Sequence, residues 1–177
     1  LFGGTASKVV LPSARALAIP ESLGPDGVLC ALAATALHAI NEGGLPDLII
    51  GHGVLGRLLA RLTLALGGKA PTVWEISANR RSGAAGYEVT SPETDTRTDY
   101  ASIYDASGDA GLLDTLIGRL AKGGEITLAG FYKARLGFDF APAFMKEARL
   151  RVAAEWRPKD IAQTIALIQA GALGLDS

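Results

Sequence analysis

Short apolar runs alternate along this chain with longer stretches whose apolar positions recur at helical spacing. Residues 47–50, 72–76, 87–89, 100–105, 125–129 and 150–154 read as strands: brief, β-branched or aromatic, and bounded by Gly, Pro or polar clusters. Between them, residues 54–66, 79–85 and 110–121 read as helices, and Gly67-Gly68 and Gly86 stop the first two. Pro25-Asp26 introduces an Ala/Leu-rich helix over 28–40, and Asn41-Glu42-Gly43-Gly44 ends it. Pro142 opens a small helix, and Pro158-Lys159-Asp160 opens a last one to residue 170. Residues 91–99 are polar and read as a loop. Two further short strands are expected, at 7–11 before Pro12 and at 136–140. Strands that alternate with helices in this way predict the α/β class: a doubly wound parallel six-stranded sheet with helices on both faces.

One glycine pattern gives that sheet a ligand. Gly51-His52-Gly53-Val54-Leu55-Gly56 stands between a strand and a helix. In the Rossmann-type fold the first glycine of such a loop makes the tight turn, the second admits a pyrophosphate, and the third lets the helix pack closely on the strand. The helix N-terminus then offers unpaired N–H groups to the phosphates. An acid about 20 positions on, at the end of the second strand, completes the pattern by bonding the ribose, and Glu75 stands there. A carboxylate at that place repels a 2′-phosphate, so Glu75 favours NAD over NADP. Arg80 and Arg81 point the other way, because an arginine accepts that phosphate. The cofactor set is therefore Gly51, His52, Gly53, Val54, Leu55, Gly56, Glu75 and Arg80, with Ala106 and Ser107 after the fourth strand and Gly130 and Phe131 after the fifth. Carboxyl ends of parallel strands face the cofactor crevice.

Composition narrows the partners. Lys+Arg total 17 against Asp+Glu 18, so no basic surplus points to nucleic acid. The single cysteine, Cys30, excludes an intrachain disulfide framework and fits a reducing, cytoplasmic compartment. No apolar run reaches the roughly 20 residues of a membrane helix, and the run over 54–66 is broken by Arg57 and Arg61. Leu1-Phe2-Gly3-Gly4 reads like the middle of a longer protein, and residues 171–177 look cut.

The order of these signals resembles the medium-chain dehydrogenase/reductase superfamily along nearly the whole chain. Gly3-Gly4-Thr5-Ala6-Ser7-Lys8-Val9-Val10 resembles the segment that closes the GroES-like catalytic domain of that superfamily. Thr35-Ala36-Leu37-His38-Ala39 resembles its helix before the nucleotide fold. The glycine loop, Glu75 with Arg80, Asp105-Ala106-Ser107-Gly108 and Gly123-Gly124-Glu125-Ile126-Thr127-Leu128-Ala129-Gly130 follow in order. The resemblance implies a catalytic-domain remnant over 1–20, a Rossmann NAD-binding domain over 21–170, and the start of a return to the catalytic domain over 171–177.

Within the superfamily, Ala33-Ala34-Thr35-Ala36-Leu37-His38-Ala39-Ile40 and Gly130-Phe131-Tyr132 resemble dehydrogenases of bacteriochlorophyllides. That likeness implies NAD-dependent oxidation of a 3-(1-hydroxyethyl) group on a tetrapyrrole to acetyl. It places Thr35 near the nicotinamide and leaves His38 as a candidate acid/base group. Phe131, Tyr132, Phe138, Phe140 and Phe144 are candidates to line an apolar substrate cleft.

Zinc-dependent members carry a ligand cysteine four residues before the threonine. That position is Ala31 here, and Cys30 lies one residue, about 100° of helix, away. No catalytic zinc is expected in this chain. The likeness also suggests pairing of sixth strands into a dimer. Two other readings stay open: a zinc-free NADPH-dependent quinone or enone reductase, and a non-catalytic NAD-sensing module.

Overall fold

The computed structural model describes residues 6–13 and 16–175. Six strands form one sheet: β1 (Leu48–Ile50), β2 (Thr72–Trp74), β3 (Glu88–Thr90), β4 (Tyr100–Asp105), β5 (Leu120–Leu128) and β6 (Arg149–Val152). Their order is β3-β2-β1-β4-β5-β6 and every pairing is parallel, the doubly wound sheet that the alternation predicts. The five helices are α1 (Cys30–Gly43), α2 (Val54–Ala65), α3 (Leu113–Arg119), α4 (Phe140–Lys146) and α5 (Pro158–Gln169).

The inner strands β1, β2 and β4 are mostly apolar because they are covered twice, with Thr72, Ser102 and Asp105 as their polar positions. Successive side chains alternate across the sheet. Ile49, Val73 and Tyr104 enter one cluster with α1, α2 and α5, while Leu48, Ile50, Trp74 and Ile103 enter the other with α3 and α4. The buried Tyr104 adds a polar tie. Its hydroxyl lies 2.6 Å from the Gly44 carbonyl and 3.0 Å from that of Ala39, and it satisfies the end of α1. Burial lifts the Tyr104 phenol to about 12, so the hydroxyl stays a donor.

A stretch of 3₁₀ helix, Glu21–Leu29, leads into α1 and is broken at Gly24. Together the two are long and apolar enough to suggest a membrane span. Yet α1 alone has 14 residues, about 21 Å at 1.5 Å per residue, and its buried side packs on the sheet and on α5.

Three expected elements differ. Residues 7–11 form no strand: they run as exposed coil, with Val10 fully exposed, and no strand pairs with them among the described residues. Gly3, Gly4 and Thr5 of that motif lie outside the described residues. The helix expected over 79–85 is reduced to one 3₁₀ turn, Ala78–Arg80. Gly83, at φ +82°, breaks the helical run, and guanidiniums brace the loop that replaces it: Arg81 bonds the carbonyls of Glu75 and Ile76, and Arg57 bonds those of Ser82 and Gly83. Residues 136–139 are coil rather than a strand, and the Asp139 N–H donates to Asp114 Oδ1 at the entry to α4. β5 also begins earlier than expected, at Leu120, with a register shift opposite Tyr100 and Ser102. At the other end, Leu173 and Leu175 are buried against the α1 and α2 side of the core. Asp176 and Ser177 lie outside the described residues.

The outer helices are joined through Asp160, which is fully buried at the start of α5. Its carboxylate accepts from the Arg157 N–H at 2.8 Å, from His38 Nδ1 at 2.8 Å and from Asn41 Nδ2 at 3.1 Å. Burial alone works to raise the carboxyl, but these bonds outweigh it and hold it below the usual carboxylate range. A carboxyl depressed in the folded state contributes its stability above the unfolded-state value, and that contribution fades as pH falls through the folded value. Asp160→Asn is expected to cost about 1–3 kcal/mol at pH 7, measured by urea denaturation. The gap to the wild type should close as pH is lowered through the carboxylate range. A gap that stays constant down to pH 3 would show that Asp160 is not held as a depressed carboxylate.

Candidate functional site

The strand order reverses between β1 and β4, and there the two outgoing chains part. The Ala106 N–H reaches back to the Ile50 carbonyl at 3.0 Å, and Gly51 leaves β1 with φ +94°. Only glycine adopts that conformation without strain. Gly56, one turn into α2, sits against β1, and a Cβ there would strike the carbonyl oxygen of Gly51. These two glycines serve the fold. Gly53 does not: its φ of −76° suits any residue, and apart from its chain neighbours no protein atom lies within 4 Å of where its Cβ would stand.

Gly53 borders a cavity of about 300 Å³ at the carboxyl edge of β1, β2 and β4. Gly51, Glu75, Arg80, Ala106 and Ser107 share its wall, and Trp74 and Leu112 make much of the apolar part. The structure thus brings six of the expected cofactor residues to one hollow. His52, Val54, Leu55, Gly56, Gly130 and Phe131 are not on the wall. Val54 is half-exposed in the first turn of α2, Leu55 packs towards the core, and Phe131 projects into solvent after β5. The Gly130 N–H donates to the Asp105 carbonyl at 2.8 Å and so closes the turn beside Ser107.

Glu75 follows β2 and is almost wholly buried. Oε2 accepts from the His52 N–H at 3.0 Å; Oε1 accepts from the Ser77 N–H at 2.8 Å and from Arg80 Nη2 at 3.2 Å. Burial pushes this carboxyl up, and the two N–H bonds with the Arg80 cation more than reverse it, so it is anionic. Three of its roughly four lone-pair positions are filled, which leaves Oε2 room for one donor from the cavity. Arg81, weighed with Arg80 as a phosphate acceptor, instead spends its guanidinium on the carbonyls of Glu75 and Ile76.

The hollow does not include Thr35 or His38. Thr35 Oγ1 donates to the Ala31 carbonyl one turn back at 3.0 Å, and His38 pairs with Asp160. Cys30 is buried in the core, where burial raises its thiol, and Ala31 is exposed. No group of three or more His, Cys, Asp or Glu side chains is placed to hold a metal among the described residues.

The five candidate cleft aromatics separate. Phe138, Phe140 and Phe144 line a different groove of about 540 Å³, with Met145 and Leu150, at the β6 end of the sheet. Phe131 lines neither cavity. Tyr132 is half-buried beside Asp105, its hydroxyl 3.3 Å from the Asp105 carbonyl. Burial, then the Asp105 charge, drive that phenol far up, so it is a donor and not a base.

Sequence reasoning missed Trp74, Pro92, Leu112 and Thr115 on the cavity wall. Trp74 lies in the second strand, next to Glu75, and so was legible. The others come from a loop and a helix whose approach depends on tertiary packing.

No family model matches the chain. Two curated relatives do, each named 2-desacetyl-2-hydroxyethyl bacteriochlorophyllide A dehydrogenase. That of Rhodobacter capsulatus is 59% identical over 99% of this chain and 57% of the relative. That of Cereibacter sphaeroides is 60% identical over 99% of this chain and 56% of the relative. The chain therefore spans a little over half the length of either. Among solved structures, galactitol-1-phosphate dehydrogenase from Escherichia coli superposes with a TM-score of 0.83 at 20% identity, over 98% of this chain and 58% of that one. Acetophenone reductase from Geotrichum candidum, in complex with NAD, gives 0.79 at 20% identity, over 89% and 49%. The structural likeness carries the fold, and the curated relatives carry the sequence resemblance to bacteriochlorophyllide dehydrogenases.

The two kinds of glycine are separable by substitution. Gly56→Ala is expected to destabilise the fold by about 1–3 kcal/mol, because the clash is with backbone. Gly53→Ala should change stability by less than about 0.5 kcal/mol yet weaken NADH binding about tenfold or more. Urea denaturation and calorimetry read the two effects. Equal stability losses would mean that Gly53 also serves the fold.

Proposed function

We propose that this chain, a homologue of bacteriochlorophyllide dehydrogenases over 99% of its length, is the NAD-binding part of such an enzyme. The observation that carries the reading is the open position at Gly53. No packing contact and no backbone angle requires a glycine there, and the position borders the cavity. A pyrophosphate at the start of α2 explains it.

The residues present fit the dinucleotide. N–H groups at the start of α2 would hold the pyrophosphate beside Gly51 and Gly53. Glu75 would accept from a ribose hydroxyl through Oε2. Trp74, Pro92 and Leu112 give an apolar wall suited to a base, with Thr115 beside them. Ala106, Ser107, Gly130 and Phe131, on the turns after β4 and β5, would border the nicotinamide side, with Thr35 approaching from α1. Bound NAD supplies the hydride acceptor for oxidising a hydroxyethyl group to acetyl. That oxidation also releases the hydroxyl proton. His38, the acid/base candidate on this chain, is held on Asp160 away from the cavity. We assign the proton-accepting group to the part of the protein that the relatives have and this chain does not span, a GroES-like catalytic domain to which residues 1–20 and 171–177 would connect. The bacteriochlorophyllide would lie between the two. The lone buried cysteine supports a reducing, cytoplasmic setting.

We also assign a homodimer to the β6 edge. Among the described residues β6 is paired on one side only, by β5, and Leu150 and Val152 are exposed along it.

The full-length protein with NAD is expected to turn over the hydroxyethyl bacteriochlorophyllide, followed at 340 nm, while residues 1–177 alone bind NADH without turnover. Preference of the full-length enzyme for NADPH, with reduction of a quinone or enone, would overturn the assignment. Light scattering should report a dimer, and Val152→Asp should return it to a monomer. An unchanged mass would remove β6 as the interface.

A further inference from the structure

His52 occupies the variable second position of the glycine loop, yet its ring does not reach the cavity. It is 1% exposed and turned towards the far side of the loop over residues 76–87. Nδ1 lies 2.6 Å from the Arg80 carbonyl, and Nε2 lies 2.8 Å from the Tyr87 hydroxyl. A carbonyl only accepts, so Nδ1 carries the proton, and Nε2 then accepts from Tyr87. Burial lowers the imidazole pKa and keeps the ring in this neutral form. Tyr87 stands edge-on to it, with ring centroids 5.6 Å apart.

One residue therefore grips the ribose subsite twice. Its N–H bonds Glu75, and its ring bonds the backbone of Arg80, whose guanidinium bonds Glu75 from the other side. The Arg80 side chain is 61% exposed, and an ion pair that exposed holds little by itself. What keeps Arg80 beside Glu75 is the anchored backbone beneath it. A 2′-phosphate needs that cation turned outward and free, whereas a 2′-hydroxyl needs the carboxylate fixed and accepting.

We propose that His52, locked by Tyr87, is a positioning residue that selects a 2′-hydroxyl over a 2′-phosphate dinucleotide by holding Arg80 against Glu75. The inference rests on the NAD reading above. The ring does not line the cavity and acts through Arg80.

The test measures NADH and NADPH affinity by calorimetry on the same proteins. In His52→Ala, the ratio of NADH to NADPH affinity should fall about tenfold or more, the scale of one lost charge-assisted contact. His52→Asn places an amide N–H where Nδ1–H stands and should restore most of the ratio. Tyr87→Phe keeps the packing, removes the lock on Nε2 and should give an intermediate fall. Adding Arg80→Ala to His52→Ala should abolish any gain in NADPH binding. A role in folding alone would lower both affinities together, and that result, or failure of Asn to rescue, overturns the inference. If His52→Ala does not fold, Tyr87→Phe and His52→Asn still decide, since an unchanged ratio in Tyr87→Phe counts against it. A wild-type chain that binds NADH with the variants all unchanged defeats the inference alone. A wild type that binds neither dinucleotide defeats the NAD reading and the inference together.

Discussion

A parallel sheet returns every strand by a crossover, and this one constraint organises the molecule. Helices laid down by these crossovers cover both faces of the inner strands, so β1, β2 and β4 are mostly apolar. The sheet is wound outward in both directions from β1 and β4. Where the winding reverses, adjacent strands send their chains to opposite faces, and a crevice opens that no side chain is obliged to fill. The cavity beside Gly51 and Ala106 is that crevice. Its position follows from topology before any residue is chosen to line it.

The residues then divide by what constrains them. Gly51 and Gly56 answer to the backbone, one through a positive φ and one through a close approach to β1. Gly53 answers only to the space in front of it. Glu75 is held by two backbone N–H groups and a cation, so its anion is formed and oriented in the protein itself. A site prepared in this way does not reorganise its charges when a ribose hydroxyl arrives, and the preorganisation lowers the cost of binding.

Much of this was legible in the sequence, for local reasons. Short apolar runs with their Gly, Pro or polar borders mark the six strands of the sheet, and the distance from the glycine loop to Glu75 marks the acid. What was not legible depended on partners far along the chain. Val9, Val10 and Leu11 have strand-forming side chains, but a strand exists only when another pairs with it. Residues 79–85 have helical composition, but Gly83 takes a positive φ there, and Arg57, from α2, holds the carbonyls of Ser82 and Gly83. His52 belongs to the glycine loop and so to the expected cofactor set. Its ring is turned inward because Tyr87 and the Arg80 carbonyl, 35 and 28 residues away, both meet it from the segment that leads into β3. The aromatics after β5 were grouped by nearness in sequence, and the chain then distributes them between two ends of the sheet.

Trp74 shows how far the packing of one wall residue extends. Its indole N–H donates to Asp95 at 2.6 Å, the Arg119 guanidinium stands 5.2 Å from its ring, and its edge borders the cavity. The chain has only one other tryptophan, Trp156, which is partly exposed in the loop before α5. The two indoles therefore sit in contrasting surroundings, one dry and beside charge, the other wet. The protein carries a native optical probe in the wall of its own binding site, with an emission separable from that of its companion by wavelength and by access to a soluble quencher.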